Sequence, residues 1–179
     1  MSADPSVVVV VGNPQAASRT AAAATEVGRR VAALADIASV VTIDLAELGP
    51  ALLSWGDPAV VAAKGTVVGA SALIVASPTY KAAYTGLLKL FLDQFDKGEL
   101  APVGAVVPVM SGGGPAHSLA VEVHLRPVLV EIGASCPTRG LYLAGAEIDH
   151  PGPAIEAWLA DATPPLRRAL AGPAAVDGP

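Results

Sequence analysis

Apolar residues in this chain fall in short runs cut by polar, glycine and proline punctuation, and the runs alternate between two periods. Val7 to Val11 is an unbroken β-branched run, the pattern of a strand buried on both faces. Ser18 to Ala35 switches to a helical period, with Ala23, Val27, Val31 and Leu34 on one face. Ser39 to Leu45 reads as a second strand. After a loop carrying Trp55, Asp57-Pro58 has the form of an N-cap followed by the first helical residue, and predicts a helix to about Gly69. Ala72 to Ala76 is the third predicted strand. Tyr84 to Phe95 is a helix with Tyr84, Leu88, Phe91 and Phe95 in phase, and Val103 to Met110 is the fourth strand. Ala116 to Gly133 reads as a helix with Val121, Leu125, Val128 and Ile132 inward. Gly140 to Leu143 is a short fifth strand. The remainder reads as helical but interrupted, with Thr163-Pro164 as a fresh N-cap and first turn, and residues 172–179 as a disordered tail.

No linker or repeat divides the chain, so residues 1–171 are read as one domain. Five strands alternating with helices predict an α/β fold, a three-layer αβα sandwich around a parallel sheet. Right-handed crossovers leave few topologies, and the order 2-1-3-4-5 is the common one for five strands. Ligands of such sheets bind at the carboxyl ends of the strands, beside the switch in strand order. Here that means the loops after strands one, three and four.

Composition narrows the possible functions. Hydrophobic residues are 53% and charged residues 15% of the 179, which excludes a disordered chain. The net charge of -5 and the lack of a Lys/Arg run argue against a nucleic-acid partner. Mean hydropathy is +0.54, yet no apolar run approaches the roughly 20 residues of a membrane span. No basic residue precedes Arg19, which argues against a secretory signal. Cys136 is the only cysteine, consistent with a reducing cytoplasm, and His117, His124 and His150 are too scattered for a metal cluster.

The first loop, Gly12-Asn13-Pro14-Gln15-Ala16-Ala17-Ser18-Arg19-Thr20, joins a buried strand to a helix N-terminus. Free N–H groups and the helix dipole favour an anion there, Ser18 and Thr20 add hydroxyls, and Arg19 adds charge, so a phosphate fits. Read as ordinary structure, Ser18 is a plain N-cap. The loop lacks both GxxxxGK[ST] and GxGxxG, and no GxSxG elbow occurs in the chain, which argues against a P-loop, a Rossmann dinucleotide site and an α/β-hydrolase. Gly112 and Gly114 begin a GxGxxG after strand four, but His117 fills the third glycine position. The second loop carries Pro78, Thr79, Tyr80 and Lys81. Tyr80 suits the border of a planar ring and Lys81 a negative group; equally, Tyr80 and Tyr84 suit the core and Lys81 the solvent. The third loop, Ser111-Gly112-Gly113-Gly114-Pro115-Ala116-His117, suits a flat ligand lying against the main chain, or a flexible turn, with His117 capping the next helix.

Taken together, these stretches resemble the NADPH-dependent FMN reductase family, which has the flavodoxin-like fold. They are Gly12-Asn13-Pro14 with Ser18-Arg19-Thr20, Pro78-Thr79-Tyr80-Lys81 running on to Lys89, and Ser111 to His117. The likeness is greatest to the flavin reductases that serve two-component monooxygenases in alkanesulfonate and methanesulfonate use. It implies FMN as cofactor, with NADPH or NADH as co-substrate. Ser18, Arg19 and Thr20 would hold the phosphate, and Gly12 and Asn13 would also contact the cofactor. Pro78, Thr79, Tyr80 and Lys81 would border the ribityl chain and ring, and Ser111, Gly112, Gly113 and Gly114 would follow the ring's polar edge. It further implies a homodimer or homotetramer, and a monooxygenase as possible partner.

Two departures from the family pattern carry physical consequences. Many relatives have Gly-Ser-Pro-Arg where this chain has Gly12-Asn13-Pro14-Gln15, which removes one charge beside the phosphate. In the sulfonate-linked members the fourth helix often carries an aromatic residue or His at an irregularity; the nearest residues here are Val123 and His124. Pro127 supplies a physical cause for one, because it cannot donate to the Val123 carbonyl and its ring crowds that turn, which predicts a π-bulge or kink. With FMN doing the chemistry, no catalytic side chain is nominated. Aromatics are only 4%, which favours an open, exchangeable flavin over the sandwiched flavin of an electron carrier. A bound-flavin quinone, azo or chromate-type reductase and a non-enzymatic carrier remain the alternatives. Trp55 is read as a core or interface residue.

Overall fold

The computed structural model describes residues 4–171. The predicted tail, residues 172–179, lies outside them. The strands are β1 (Ser6–Val11), β2 (Ser39–Asp44), β3 (Ala72–Pro78), β4 (Ala105–Gly112) and β5 (Leu141–Ala144). The helices are α1 (Arg19–Ala33), α2 (Leu45–Leu48), α3 (Pro58–Val68), α4 (Gly86–Leu92), α5 (Arg126–Glu131) and α6 (Gly152–Leu170). All four strand pairings are parallel, in the order β2-β1-β3-β4-β5 expected from the sequence.

The alternation of side chains along β1 explains the three layers. Val7, Val9 and Val11 pack with Ala23, Val27 and Val31 of α1 and with Ile155, Trp158 and Leu166 of α6. Val8 and Val10 face the other way, into a core completed by Val60, Leu88, Phe91, Leu125 and Leu129. Both faces of β1 are covered, which is why its sequence is a continuous apolar run rather than an alternating one. No helix among the described residues is long and apolar enough to cross a membrane.

The caps read from the sequence are present. Ser18 Oγ accepts from the Ala21 N–H at 3.2 Å, and Asp57 Oδ1 accepts from the Ala59 N–H at 2.9 Å with Pro58 opening α3. Three expectations change. The helix expected over Tyr84 to Phe95 is shorter, because Thr85 caps it by accepting from the Leu88 N–H at 3.1 Å. Tyr84 belongs instead to the exit of a tight turn in which Lys81 and Ala82 have φ of 51° and 67°. The break expected at Thr163-Pro164 is absent: α6 runs through Pro164 and Pro165. The carbonyls these prolines leave without a donor belong to Ala160 and Asp161, both exposed, so water can satisfy them, while Trp158, Ala162 and Leu166 keep the helix seated. Finally, Ser111 and Gly112 belong to the end of β4 rather than to a loop.

The irregularity predicted near Pro127 is a π turn over Val121–Leu125, closed by the Arg126 N–H bonding to the Val121 carbonyl. The extra residue shifts the inward face, so that Leu129 rather than Val128 is fully buried beside Leu125. The turn also aims Glu122 and Arg126 at the approach to β5. Glu122 takes the Gly140 N–H and pairs with Arg126, whose guanidinium donates to the carbonyls of Cys136 and Thr138. Burial alone would push the Glu122 carboxyl up, but the Arg126 and Gly140 hydrogen bonds outweigh it and hold the carboxyl below its ordinary value. A depressed pKa stabilises the fold fully above the ordinary value of 4.5, and this contribution is lost as pH falls through the folded value. Glu122→Gln is expected to lower unfolding stability by about 1–2 kcal/mol at neutral pH. Urea titrations should show the gap between variant and wild type closing as the pH is lowered into the carboxylate range.

Candidate functional site

The carboxyl ends of β1, β3, β4 and β5 open onto one cleft of about 730 Å³. Its rim comes from Asn13 to Thr20, from Pro78 to Tyr80, from Ser111 to Gly113, and from the turn Gly145–Asp149 after β5. That volume lies within the range of small-molecule sites. The sequence pointed to the first three segments. It missed the fourth, although the same strand-end rule applies to the loop after β5 and Gly145, with φ 57°, marks its turn.

Buried polar bonds hold the segments in register. Asn13 Nδ2 donates to Thr20 Oγ1 at 3.2 Å, and Thr20 Oγ1 meets Ser111 Oγ at 3.3 Å. Asn13 Oδ1 accepts from the Gln15 N–H at 2.9 Å, which folds the first loop back on itself. This links the loop after β1 to the end of β4. The segment after β3 is tied to both. Thr79 N–H donates to the Ser111 carbonyl at 2.6 Å, and Thr85 N–H to Ser77 Oγ at 3.0 Å. The Thr85 hydroxyl donates to the Gly12 carbonyl. Between these anchors Tyr80 and Ala83 pair across the tight turn, leaving Tyr80 at the cleft and 53% exposed.

The α1 N-terminus supplies the anion-binding character. Ser18 caps it, no acidic residue occupies its first turn, and among the described residues no acceptor reaches the Arg19 and Thr20 N–H groups. Among the described residues, Arg19 is the only cation on the cleft wall and Asp149 the only anion. They pair across it, with Arg19 Nη1 at 3.0 and 3.4 Å from the two Asp149 carboxylate oxygens.

Not every residue singled out in the sequence borders the cleft. Gly12 stands behind it, where a Cβ would lie 2.5 Å from Leu88 Cβ, so glycine there lets β1 and α4 approach. Lys81 is exposed at the tip of its turn, and Gly114 lies beyond the rim with extended backbone. Gly112 lines the cleft but is packed from behind, where a Cβ would meet Tyr142 Oη at 2.2 Å. Gly113 is different: its Cβ would meet nothing within 4 Å, so its open space belongs to the cleft. His117 and His124 are exposed, the latter on the π turn. Trp55 is 75% exposed and therefore not a core residue, whereas Trp158 is buried with Nε1 donating to the Arg139 carbonyl at 2.9 Å. Cys136 is a poor nucleophile, its thiol pushed up to about 11 by burial.

The sequence profile of the family described as NADPH-dependent FMN reductase matches residues 5–148, a stretch that contains the whole sheet and all four rim segments but for Asp149. The chain belongs to this family. An "FMN reductase (NADPH)" of Pseudomonas putida is 37% identical over 84 residues, which cover 47% of this chain and 42% of that protein. The chain thus spans less than half the length of that first relative. An "NADH-dependent FMN reductase SfnF", also of Pseudomonas putida, is 32% identical over 149 residues, 80% of each chain. Among solved structures, an NADH:FMN oxidoreductase in its apo form superposes with a TM-score of 0.80 at 30% identity, covering 97% of this chain and 92% of the other.

The glycines separate by what surrounds them. Gly12→Ala should cost about 1–3 kcal/mol of stability, because the new methyl must displace Leu88. Gly113→Ala should stay within about 0.5 kcal/mol of wild type. Thermal unfolding of both variants checks the contrast.

Proposed function

We propose that this chain is an NAD(P)H-dependent FMN reductase that binds FMN in the cleft, phosphate at the α1 N-terminus and ring over Gly113. The observation that carries this reading is the pairing of two features in one cavity. A helix N-terminus whose Arg19 and Thr20 N–H groups have no acceptor among the described residues, with the Ser18 hydroxyl and Arg19, stands at one end. An open backbone floor at Gly113, bordered by Pro78, Thr79 and Tyr80, forms the other. The donor set fits a phosphate monoester, and the floor fits a flat ring that needs main-chain contact. The names of the relatives and of the superposed structure support the same chemistry.

When bound, FMN supplies the hydride acceptor for the reduced nicotinamide. The chain's residues supply position. The α1 N–H groups and Arg19 orient the phosphate, while the Thr79–Ser111 bond keeps the ring border and the glycine floor at fixed separation. Tyr80, exposed on its turn, leaves the outer side of the cleft open, which suits a flavin that enters and leaves and a nicotinamide that stacks on it. The proposal extends to delivery of reduced FMN to a partner monooxygenase, a role that this openness supports. A homodimer or homotetramer is part of the proposal, supported by Leu119, Val123 and Val130, exposed by 70%, 57% and 53% around the π turn.

The test is oxidation of NADPH and of NADH with free FMN varied. The proposal expects turnover that saturates in FMN. Turnover with quinone but none with added FMN would select a bound-flavin reductase instead. Arg19→Ala should weaken FMN binding by about 1–2 kcal/mol by removing a charge-assisted bond. Gly113→Val should abolish flavin binding in fluorescence titrations while leaving thermal unfolding unchanged. Unaltered affinity in both variants would place the flavin elsewhere.

A further inference from the structure

We infer that Asp149 is a built-in competitor for the flavin phosphate, a carboxylate that holds Arg19 across the cleft and so keeps FMN exchangeable. The inference rests on the proposed phosphate position and adds a residue from outside the loops that point to it.

The geometry is specific. Asp149 comes from the turn after β5, 130 residues beyond Arg19 in the chain, yet both of its carboxylate oxygens approach the same guanidinium nitrogen. Both residues line the cleft, as its only cation and its only anion among the described residues. A carboxylate and a phosphate monoester make the same demand on a guanidinium, in-plane N–H donors to anionic oxygens. The phosphate at the α1 N-terminus therefore has to draw Arg19 away from Asp149 or share it. The charge balance points the same way. Among the residues that line the wall, the charged side chains sum to zero with Asp149 ionised and to +1 without it, with the Asp44 carboxylate on the Ala17 N–H in either case, facing a ligand that carries nearly two negative charges.

The strength of the pair suits exchange rather than exclusion. The Arg19 and Asp149 side chains are 70% and 44% exposed, so water screens their attraction and neither is locked. The carboxylate is weak enough to yield to a phosphate and close enough to recapture Arg19 as the phosphate departs. A reductase whose product is free reduced flavin gains from that recapture, because it shortens the residence of the flavin.

The experiment is flavin-fluorescence titration of the full chain with FMN and with riboflavin, which has the same ring and no phosphate, together with stopped-flow FMN dissociation. Asp149→Asn should tighten FMN binding by about 3- to 30-fold at low salt and slow its release by a similar factor. Riboflavin affinity should stay within about twofold, and the FMN gain should shrink as ionic strength rises. Asp149→Ser should give the same shift, since it removes the same charge with a different shape. In an Arg19→Gln background, Asp149→Asn should gain less. An FMN affinity indifferent to Asp149→Asn and Asp149→Ser, or an equal gain for riboflavin, would overturn the inference. Those results leave the functional reading intact provided wild type still prefers FMN to riboflavin. A wild type that binds the two equally would overturn both.

Discussion

The site depends first on the buried polar chain from Asn13 through Thr20 to Ser111. β1 and β4 are not neighbours in the sheet; β3 lies between them. Without a bond across that gap, the loop after β1 and the glycine floor after β4 would be linked only indirectly, through the segment after β3 and its bonds to the Gly12 and Ser111 carbonyls. The Asn13 amide and the two hydroxyls close the gap with hydrogen bonds that are worth more in a water-poor setting and costly to leave unmade there. Thr20 lies in the first turn of α1, so the same chain also fixes where that helix begins, and hence where its N–H groups point.

The apolar sheet makes this arrangement affordable. Strands β1, β3 and β4 are almost wholly buried and nearly free of polar side chains until their carboxyl ends, where Ser77 and Ser111 appear. The polar bonds therefore act at one edge of a rigid slab, and each draws a loop toward a common point. Thr85 repeats the device on the other face, tying β3 and α4 to the carbonyl of Gly12. The result is a rim whose backbone is fixed while its side chains, Tyr80 and Arg19 among them, stay exposed. Rigid backbone with open access is the combination that an exchangeable planar ligand requires.

The sheet order was legible in the sequence because it follows from local periods and handedness, and β1 to β4 each carry a short run rich in Val or Ile, while β5 is the short run Leu141-Tyr142-Leu143-Ala144. The π turn was legible for an equally local reason, the missing N–H of Pro127. What escaped was non-local. Nothing near Asp149 signals that it meets Arg19, and nothing in three consecutive glycines separates Gly112, wedged against Tyr142, from Gly113, open to the cleft. Prolines misled in α6, where Pro164 and Pro165 looked like a new start but sit on an exposed face that tolerates unbonded carbonyls. Tyr84 misled by falling in phase with Leu88 and Phe91, although Thr85 starts the helix after it.

The most direct test of the account is a crystal structure of the protein grown with FMN. The account predicts the phosphate at the N-terminus of α1, within hydrogen-bond reach of the Arg19 and Thr20 N–H groups and the Ser18 hydroxyl, with the ring against Gly113. A flavin in the groove between α4 and α5, lined by Lys89, Phe95 and Pro127, or one reversed in the cleft with its phosphate away from α1, would contradict it.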